Sequence, residues 1–173
     1  DAHHHHNGDP AYLTRLAAKL DSVDGLALLI TAPSDLKSVT AFIKEHPNRL
    51  RCIGELRLDD PVAVSLVDRF HEAGCVGLGE ITGPLKNYDD RSYWPIYERA
   101  EKYKMIILFH SGIVNRTEPD IPSDISVDRM RPSLLDGIAR RFPKLTVLGA
   151  HLGNPDYAWA AEISRWNPNL YFD

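Results

Sequence analysis

Short apolar runs and longer stretches of helical period alternate along the whole chain. Six runs have the length and composition of buried parallel strands: Leu26–Thr31, Leu50–Leu58, Cys75–Ile81, Met105–His110, Leu145–His151 and Leu170–Asp173. The opening Asp1–His6 predicts the tail of one more strand, cut close to its start. Between them lie helical stretches at Pro10–Leu20, Ser34–His46, Pro61–Ala73, Ser92–Lys104, Pro132–Phe142 and Pro155–Trp166. The first of these puts Leu13, Leu16, Ala17 and Leu20 on one face. The third has proline in its first turn and Gly74 just past its end, the usual asymmetry of helix termini. The polar stretch from Asn115 to Met130 reads as loop.

Seven strands alternating with six helices, their ends recurring on a nearly regular beat, predict an α/β fold. The pattern suits a (β/α) barrel or a doubly wound sheet. A complete eightfold barrel takes about 250 residues. The 173 residues therefore read as one domain, 1–173, truncated at both ends. Relative to a full barrel it lacks the start of strand one and everything after strand seven, the eighth strand included.

Composition narrows the partners more than the fold. Hydrophobic content of 43% with 25% charge is ordinary globular usage, which excludes disorder, collagen and coiled coil. A net charge of −4 argues against nucleic acid or a membrane surface as a partner, because both demand a basic patch. No apolar run approaches the roughly 18–20 residues of a membrane span. Two cysteines without a C-x-x-C motif cannot build a disulfide framework and point to a reducing compartment. With no signal segment visible, the cytoplasm is the default expectation. Cys52 and Cys75 fall at odd offsets from Glu55 and Glu80, so both are expected to face the helix layer as packing thiols.

The chemistry lies at the strand ends. Histidines and carboxylates close the predicted strands: His3 to His6 on the first, Glu55 on the third, Glu80 on the fourth, His110 on the fifth and His151 on the sixth. In parallel α/β folds ligands bind at the carboxyl ends of the strands. Alternation sends His3 and His5 to one side and His4 and His6 to the other, so His3 and His5 converge. Imidazoles and carboxylates at one rim suit zinc or a similar divalent metal. Four consecutive histidines also occur in affinity-tag remnants, but Asp1–Ala2 precedes this run and two further histidines occupy matching strand ends. Taken singly, His110 and His151 would each read as a hydrogen-bonded core residue; jointly with Glu80 they favour a site.

The remaining polar and aromatic residues have plainer readings. Glu55 with Arg57 reads equally as a structural ion pair at the mouth or as a direct participant. His46 and His71 read as surface histidines, and Trp94, Trp159 and Trp166 as helix packing. Asp59, Asp60, Asp89 and Asp90 read as solvated loop or cap residues. No Gly-x-Gly-x-x-Gly loop, Gly-x-Ser-x-Gly elbow or basic–aromatic interleaving is present, which removes nucleotide-dependent and serine-hydrolase chemistry.

These residues resemble a known family, the amidohydrolase-related metal-dependent hydrolases of the TIM-barrel fold (the amidohydrolase 2 type). The motifs are DAHHH at Asp1–His5, against a family pattern Asp-x-His-x-His, LFHSG at Leu108–Gly112, and RRFPKLTVLGAHLGN at Arg140–Asn154. WPIYERAEKY and PNLYFD also look like family segments, and the resemblance covers essentially the whole chain. It implies His3 and His5 as the first-strand metal pair, His110 as the fifth-strand ligand and His151 as the sixth-strand histidine. Glu80 stands where related subgroups place a metal-bridging carboxylate or modified lysine, so one ion is expected and a second stays open. The family's eighth-strand aspartate has no match, because Asp173 belongs to the seventh strand. The expectation is that the natural protein continues past Asp173, since an uncovered sheet edge invites aggregation.

The activity so implied is hydrolysis of a small amide, ester or lactone by metal-activated water. His3, His5 and His110 would hold a divalent ion, zinc before others, with Glu80 near or on it. His151 would steady the oxyanion or complete the metal shell, and Glu80 and His151 are the catalytic candidates. Arg116 and Arg131, with Arg129 in the same segment, are candidates to receive a substrate carboxylate. The expected partner is a small molecule, with a homo-oligomer open. Two alternatives stand beside this reading: a metal-dependent decarboxylase on the same scaffold, and a non-catalytic barrel fragment.

Overall fold

The computed structural model describes residues 1–6, 9–115 and 124–173. Seven strands run parallel: β1 (His4–His5), β2 (Ala27–Thr31), β3 (Leu50–Gly54), β4 (Gly77–Ile81), β5 (Ile106–Phe109), β6 (Thr146–Gly149) and β7 (Leu170–Phe172). Helices α1 (Pro10–Ser22), α2 (Leu36–Glu45), α3 (Ala63–Glu72), α4 (Trp94–Lys102), α5 (Pro132–Arg141) and α6 (Tyr157–Trp166) fill the crossovers. The strands pair in chain order from β1 to β7. An order that never reverses is the wall of an incomplete TIM-type barrel, not a doubly wound sheet. Strands β1 and β7 are its two edges. Among the described residues, no helix is long and apolar enough to cross a membrane.

Alternation along the strands sorts the apolar residues into two layers. Ile30, Ile53, Leu108, Leu148 and Ala150 meet on the inner side of the sheet. The residues between them, such as Cys52, Ile107, Phe109 and Val147, pack outward against α3, α4 and α5 through Phe70, Tyr97 and Ile138. His110 follows Leu108 at the inward spacing, so β5 aims its imidazole into the barrel.

Strand β4 breaks that alternation. Leu78 pairs with Ile107 and Ile81 with Phe109, so three steps along β4 match two along β5. Leu78 and Ile81 both pack on the helix side. By plain alternation Glu80 would share the side of Leu78; the bulge turns it inward instead. Gly79 makes this turn, with φ +122° and its backbone against β5, where an added Cβ would lie 2.2 Å from the Leu108 carbonyl oxygen.

Several expectations are corrected. Strand β3 ends at Gly54, yet Leu56 and Leu58 stay buried, so the apolar run beyond it is loop packing and not strand. Glu55 and Arg57 are both exposed in that loop and form no ion pair. Cys52 and Cys75 do face the helix layer, but they are joined in a disulfide instead of lying as free thiols. The Val76 N–H bonds the Cys52 carbonyl across β3 and β4, which brings the two Cα atoms to 4.4 Å, inside the range a disulfide needs. Asp59 is not a free loop carboxylate: it accepts from the Leu85 N–H and the Tyr93 hydroxyl. Trp159 and Trp166 are 60% and 63% exposed, because α6 seats on its Ala160 and Ile163 side. Trp94 does pack, edge-on to Phe142.

Two glycine substitutions separate backbone strain from crowding. Gly79→Ala drives a Cβ into β5 and is expected to cost about 3 kcal/mol or more. Gly74→Ala, at φ +88° with nothing within 4 Å, carries only the left-handed penalty, about 1 kcal/mol. Urea unfolding of both variants measures this, and equal losses would refute the tight approach of β4 to β5.

Candidate functional site

Five residues from four strand ends meet at the mouth of the sheet: His3 and His5 from β1, Glu80 from β4, His110 just after β5 and His151 after β6. The β1 pair arrives as alternation dictates. His4 and His6 point away, His4 to Asp1 and the Tyr12 hydroxyl, and buried His6 to Asp35 at 3.4 Å. His151 arrives by a different route from the expected strand. It lies in a short turn after β6 with φ 61°, followed by Leu152 at φ 49°. Two consecutive left-handed residues that are not glycine are strained, and this strain aims the His151 imidazole back over the barrel.

Glu80 is the hub. Its Oε2 lies 3.2 Å from His3 Nε2 and 3.4 Å from His5 Nε2, and those two nitrogens are 3.1 Å apart. Its Oε1 lies 2.7 Å from His110 Nδ1 and 3.3 Å from His151 Nε2. Two groups that can hold a cation therefore share one carboxylate: His3, His5 and Glu80, and Glu80, His110 and His151.

The donor set fits a cation on geometry as well as chemistry. Ligands about 2.1 Å from one ion lie roughly 3.0 Å apart at octahedral angles and roughly 3.4 Å apart at tetrahedral ones. The His3–His5–Glu80 triangle, with edges of 3.1, 3.2 and 3.4 Å, falls inside that range. His110 gives a second sign. Its Nε2 lies 3.3 Å from the Ile113 carbonyl, which only an N–H can satisfy. A neutral ring carries one N–H for these two oxygens, so a cation can take the place of a proton on the Glu80 side.

Electrostatics follow the same pattern. Burial pushes the Glu80 carboxyl up, but the hydrogen bonds with His110, His3 and His5 outweigh it and hold the group far below the usual carboxylate range. His3 is raised in return, chiefly by its bond to Glu80 and against the opposing effect of burial. An imidazole must shed its proton to ligate, so cation binding here releases protons.

Residues that sequence reasoning passed over fix this arrangement. The fully buried Tyr88 hydroxyl lies 2.7 Å from the Ile81 carbonyl and 2.9 Å from that of His110, fastening the ends of β4 and β5 together. Asp173, assigned only to the seventh strand, accepts from the His151 backbone N–H at 3.1 Å and lies 3.7 Å from His3 Nδ1. Its place at a strand end was the available signal. Of the arginine candidates, Arg116 lies outside the described residues. Arg131 holds Asp128 and Asp156, and Arg129 holds Asp124 and the Leu85 carbonyl. A cleft of about 480 Å³ opens beside the hub, and its lining includes His5, Glu80, Glu55 and Arg57.

The amidohydrolase family model matches residues 1–173, and the chain belongs to that family. No curated protein matches it. Solved structures share the fold at low identity. An uncharacterized TIM-barrel protein from Bordetella bronchiseptica has a TM-score of 0.65 at 17% identity, over 94% of this chain and 66% of its own. A probable 2-pyrone-4,6-dicarboxylic acid hydrolase from Acinetobacter baumannii, with citric acid bound, has 0.61 at 13%, over 99% and 68%. A 5-carboxyvanillate decarboxylase from Novosphingobium aromaticivorans, complexed with manganese and 4-hydroxy-3-methoxy-5-nitrobenzoic acid, has 0.61 at 16%, over 88% and 53%. The chain thus spans between about half and two thirds of the length of these proteins.

The shared carboxylate makes the two groups separable by mutation. Titrating Mn²⁺ or Zn²⁺ into metal-free protein by calorimetry, we expect Glu80→Ala and His3→Ala to weaken the tighter site at least about a hundredfold. His151→Ala is expected to weaken it by less than about tenfold, because it leaves the His3–His5–Glu80 triangle whole. Equal losses from His3→Ala and His151→Ala would merge the two groups into one site.

Proposed function

We propose that this member of the amidohydrolase family is a metal-dependent hydrolase acting on a small amide, ester or lactone. The observation that carries the reading is Glu80, one carboxylate whose two oxygens face two pairs of imidazoles at the mouth of the barrel. We assign the first ion to His3, His5 and Glu80, with His110 and His151 as the second pair on the same carboxylate. Zinc is the proposed ion, because imidazole nitrogen and carboxylate oxygen are its usual donors. A divalent cation there supplies water deprotonation near neutral pH and polarisation of a carbonyl.

The chain's own residues do the rest. Glu80 keeps the donor nitrogens of β1 and the β5 and β6 termini in one cluster. Asp173 lies near His3 Nδ1 and biases the ring to carry its proton there, which leaves Nε2 free to donate its lone pair. His151 keeps its Nε2 3.3 Å from Glu80 Oε1 while its side chain is 44% exposed, so of the second imidazole pair it is the one at the open side, where an oxyanion would develop.

A second reading is decarboxylation of an acid by the same residues. It is supported by the manganese-containing decarboxylase among the structures of like fold. Product analysis of the metal-loaded protein against a panel of small amides, esters, lactones and aromatic acids separates the two. Hydrolysis products without released CO₂ are expected; CO₂ without net hydrolysis would replace the hydrolase by the lyase. On a turned-over substrate, His151→Ala is expected to lower kcat by about a hundredfold while the ion of the His3–His5–Glu80 group is retained. Turnover that survives this substitution would remove His151 from the chemistry.

A further inference from the structure

The cleft beside the hub has an uneven charge distribution. Its apolar lining includes Ile30, Leu56 and Val114, and its charged residues are Glu55, Arg57, Glu80 and Asp124. Two of these charges are already engaged: Glu80 by the histidines and Asp124 by Arg129. Arg57 is exposed, and among the described residues its guanidinium has no hydrogen-bond or ion-pair partner, although Glu55 stands only two residues away in the same loop. A guanidinium offers five donors in a rigid planar fork that matches a carboxylate bidentately. Set in the wall of a cleft that mixes apolar and charged residues, with no side-chain partner of its own among the described residues, it is available to receive an anion.

We propose that Arg57 binds a carboxylate on the substrate, remote from the group that reacts at Glu80, with the ligand's apolar body lying in the cleft between. The inference rests on the hydrolase reading for the reacting end and supplies the substrate class: a small monocarboxylate with an apolar body. Glu55 and Glu80 on the same lining repel excess negative charge, which selects one carboxylate over a phosphate dianion. Arg57 is thereby a further candidate for the role expected of Arg116 and Arg131.

The test uses two neutral-or-anionic isosteres, phenylacetate and phenylacetamide, titrated by calorimetry into metal-loaded protein. Phenylacetate is expected to bind at least about tenfold more tightly. Arg57→Gln is expected to erase that preference with metal content unchanged, and Arg57→Lys to retain part of it, since it keeps the charge and loses the fork. Glu55→Gln is expected to strengthen phenylacetate binding. Absence of the preference in the wild type, or its survival in Arg57→Gln, overturns the proposal. Repeating the titration on metal-stripped protein keeps the two readings apart. An Arg57-dependent preference that persists without metal supports the subsite whatever happens to the hydrolase reading. A preference that vanishes with the metal and ignores Arg57 places the carboxylate on the cation and overturns the subsite alone.

Discussion

A buried carboxylate facing four imidazoles is the constraint on which the rest of this structure depends. Taking Glu80 out of water as an anion is costly, and only close positive or hydrogen-bonding partners offset it. Those partners come from one edge of the described sheet and from strands well inside it: β1 supplies His3 and His5, the ends of β5 and β6 supply His110 and His151. Remove the carboxylate and the histidines have no common point to converge on. Remove the histidines and an unpaired charge is left under the rim. Each half therefore explains why the other is tolerated.

The fold is arranged to keep that carboxylate still. Gly79 lets β4 bulge against β5, and the bulge alone turns Glu80 from the helix side to the barrel side. Tyr88 joins the ends of β4 and β5, and its burial pushes the phenol well above its ordinary range, so it stays a neutral donor. The Ser111 hydroxyl donates to the Ala150 carbonyl, tying the β5 end to the β6 end just before His151. These contacts lie one layer behind the ligands and use backbone carbonyls, so they position the site without competing for its donors.

How much of this was legible follows from what alternation can express. A period of two predicts which of His3 to His6 converge, that His110 points inward with Leu108, and that the cysteines face the helices. It cannot express an extra residue, so the inward aim of Glu80 was reached for the wrong local reason: plain alternation from Leu78 places it outward. It also cannot express a left-handed turn. His151 was read as the last residue of a strand, whereas its φ of 61° takes it out of the sheet before it reaches Glu80. The cysteine bond depends on the spacing of neighbouring strands, which one sequence does not contain. Arg57 was read with Glu55 because charges two apart in a strand share a side; the strand ends at Gly54, and that logic ends with it.

The exposure of the ligands divides the site into a holding side and a reacting side. The side chains of Glu80 and His110 are 9% exposed and that of His3 13%, whereas His5 reaches 63% and His151 44%. Beneath the buried three lie Ile30, Ile53, Leu108 and Leu148, an apolar floor that excludes water and strengthens every charge interaction above it. The exposed two face the open mouth, and His5 also borders the cleft that holds Arg57. Strong, dry interactions fix the geometry on one side; weaker, wet ones on the other can exchange solvent for substrate. A cation shared across that boundary would be gripped from below and approached from above, which is the asymmetry that a site must have to bind its metal permanently and its substrate transiently.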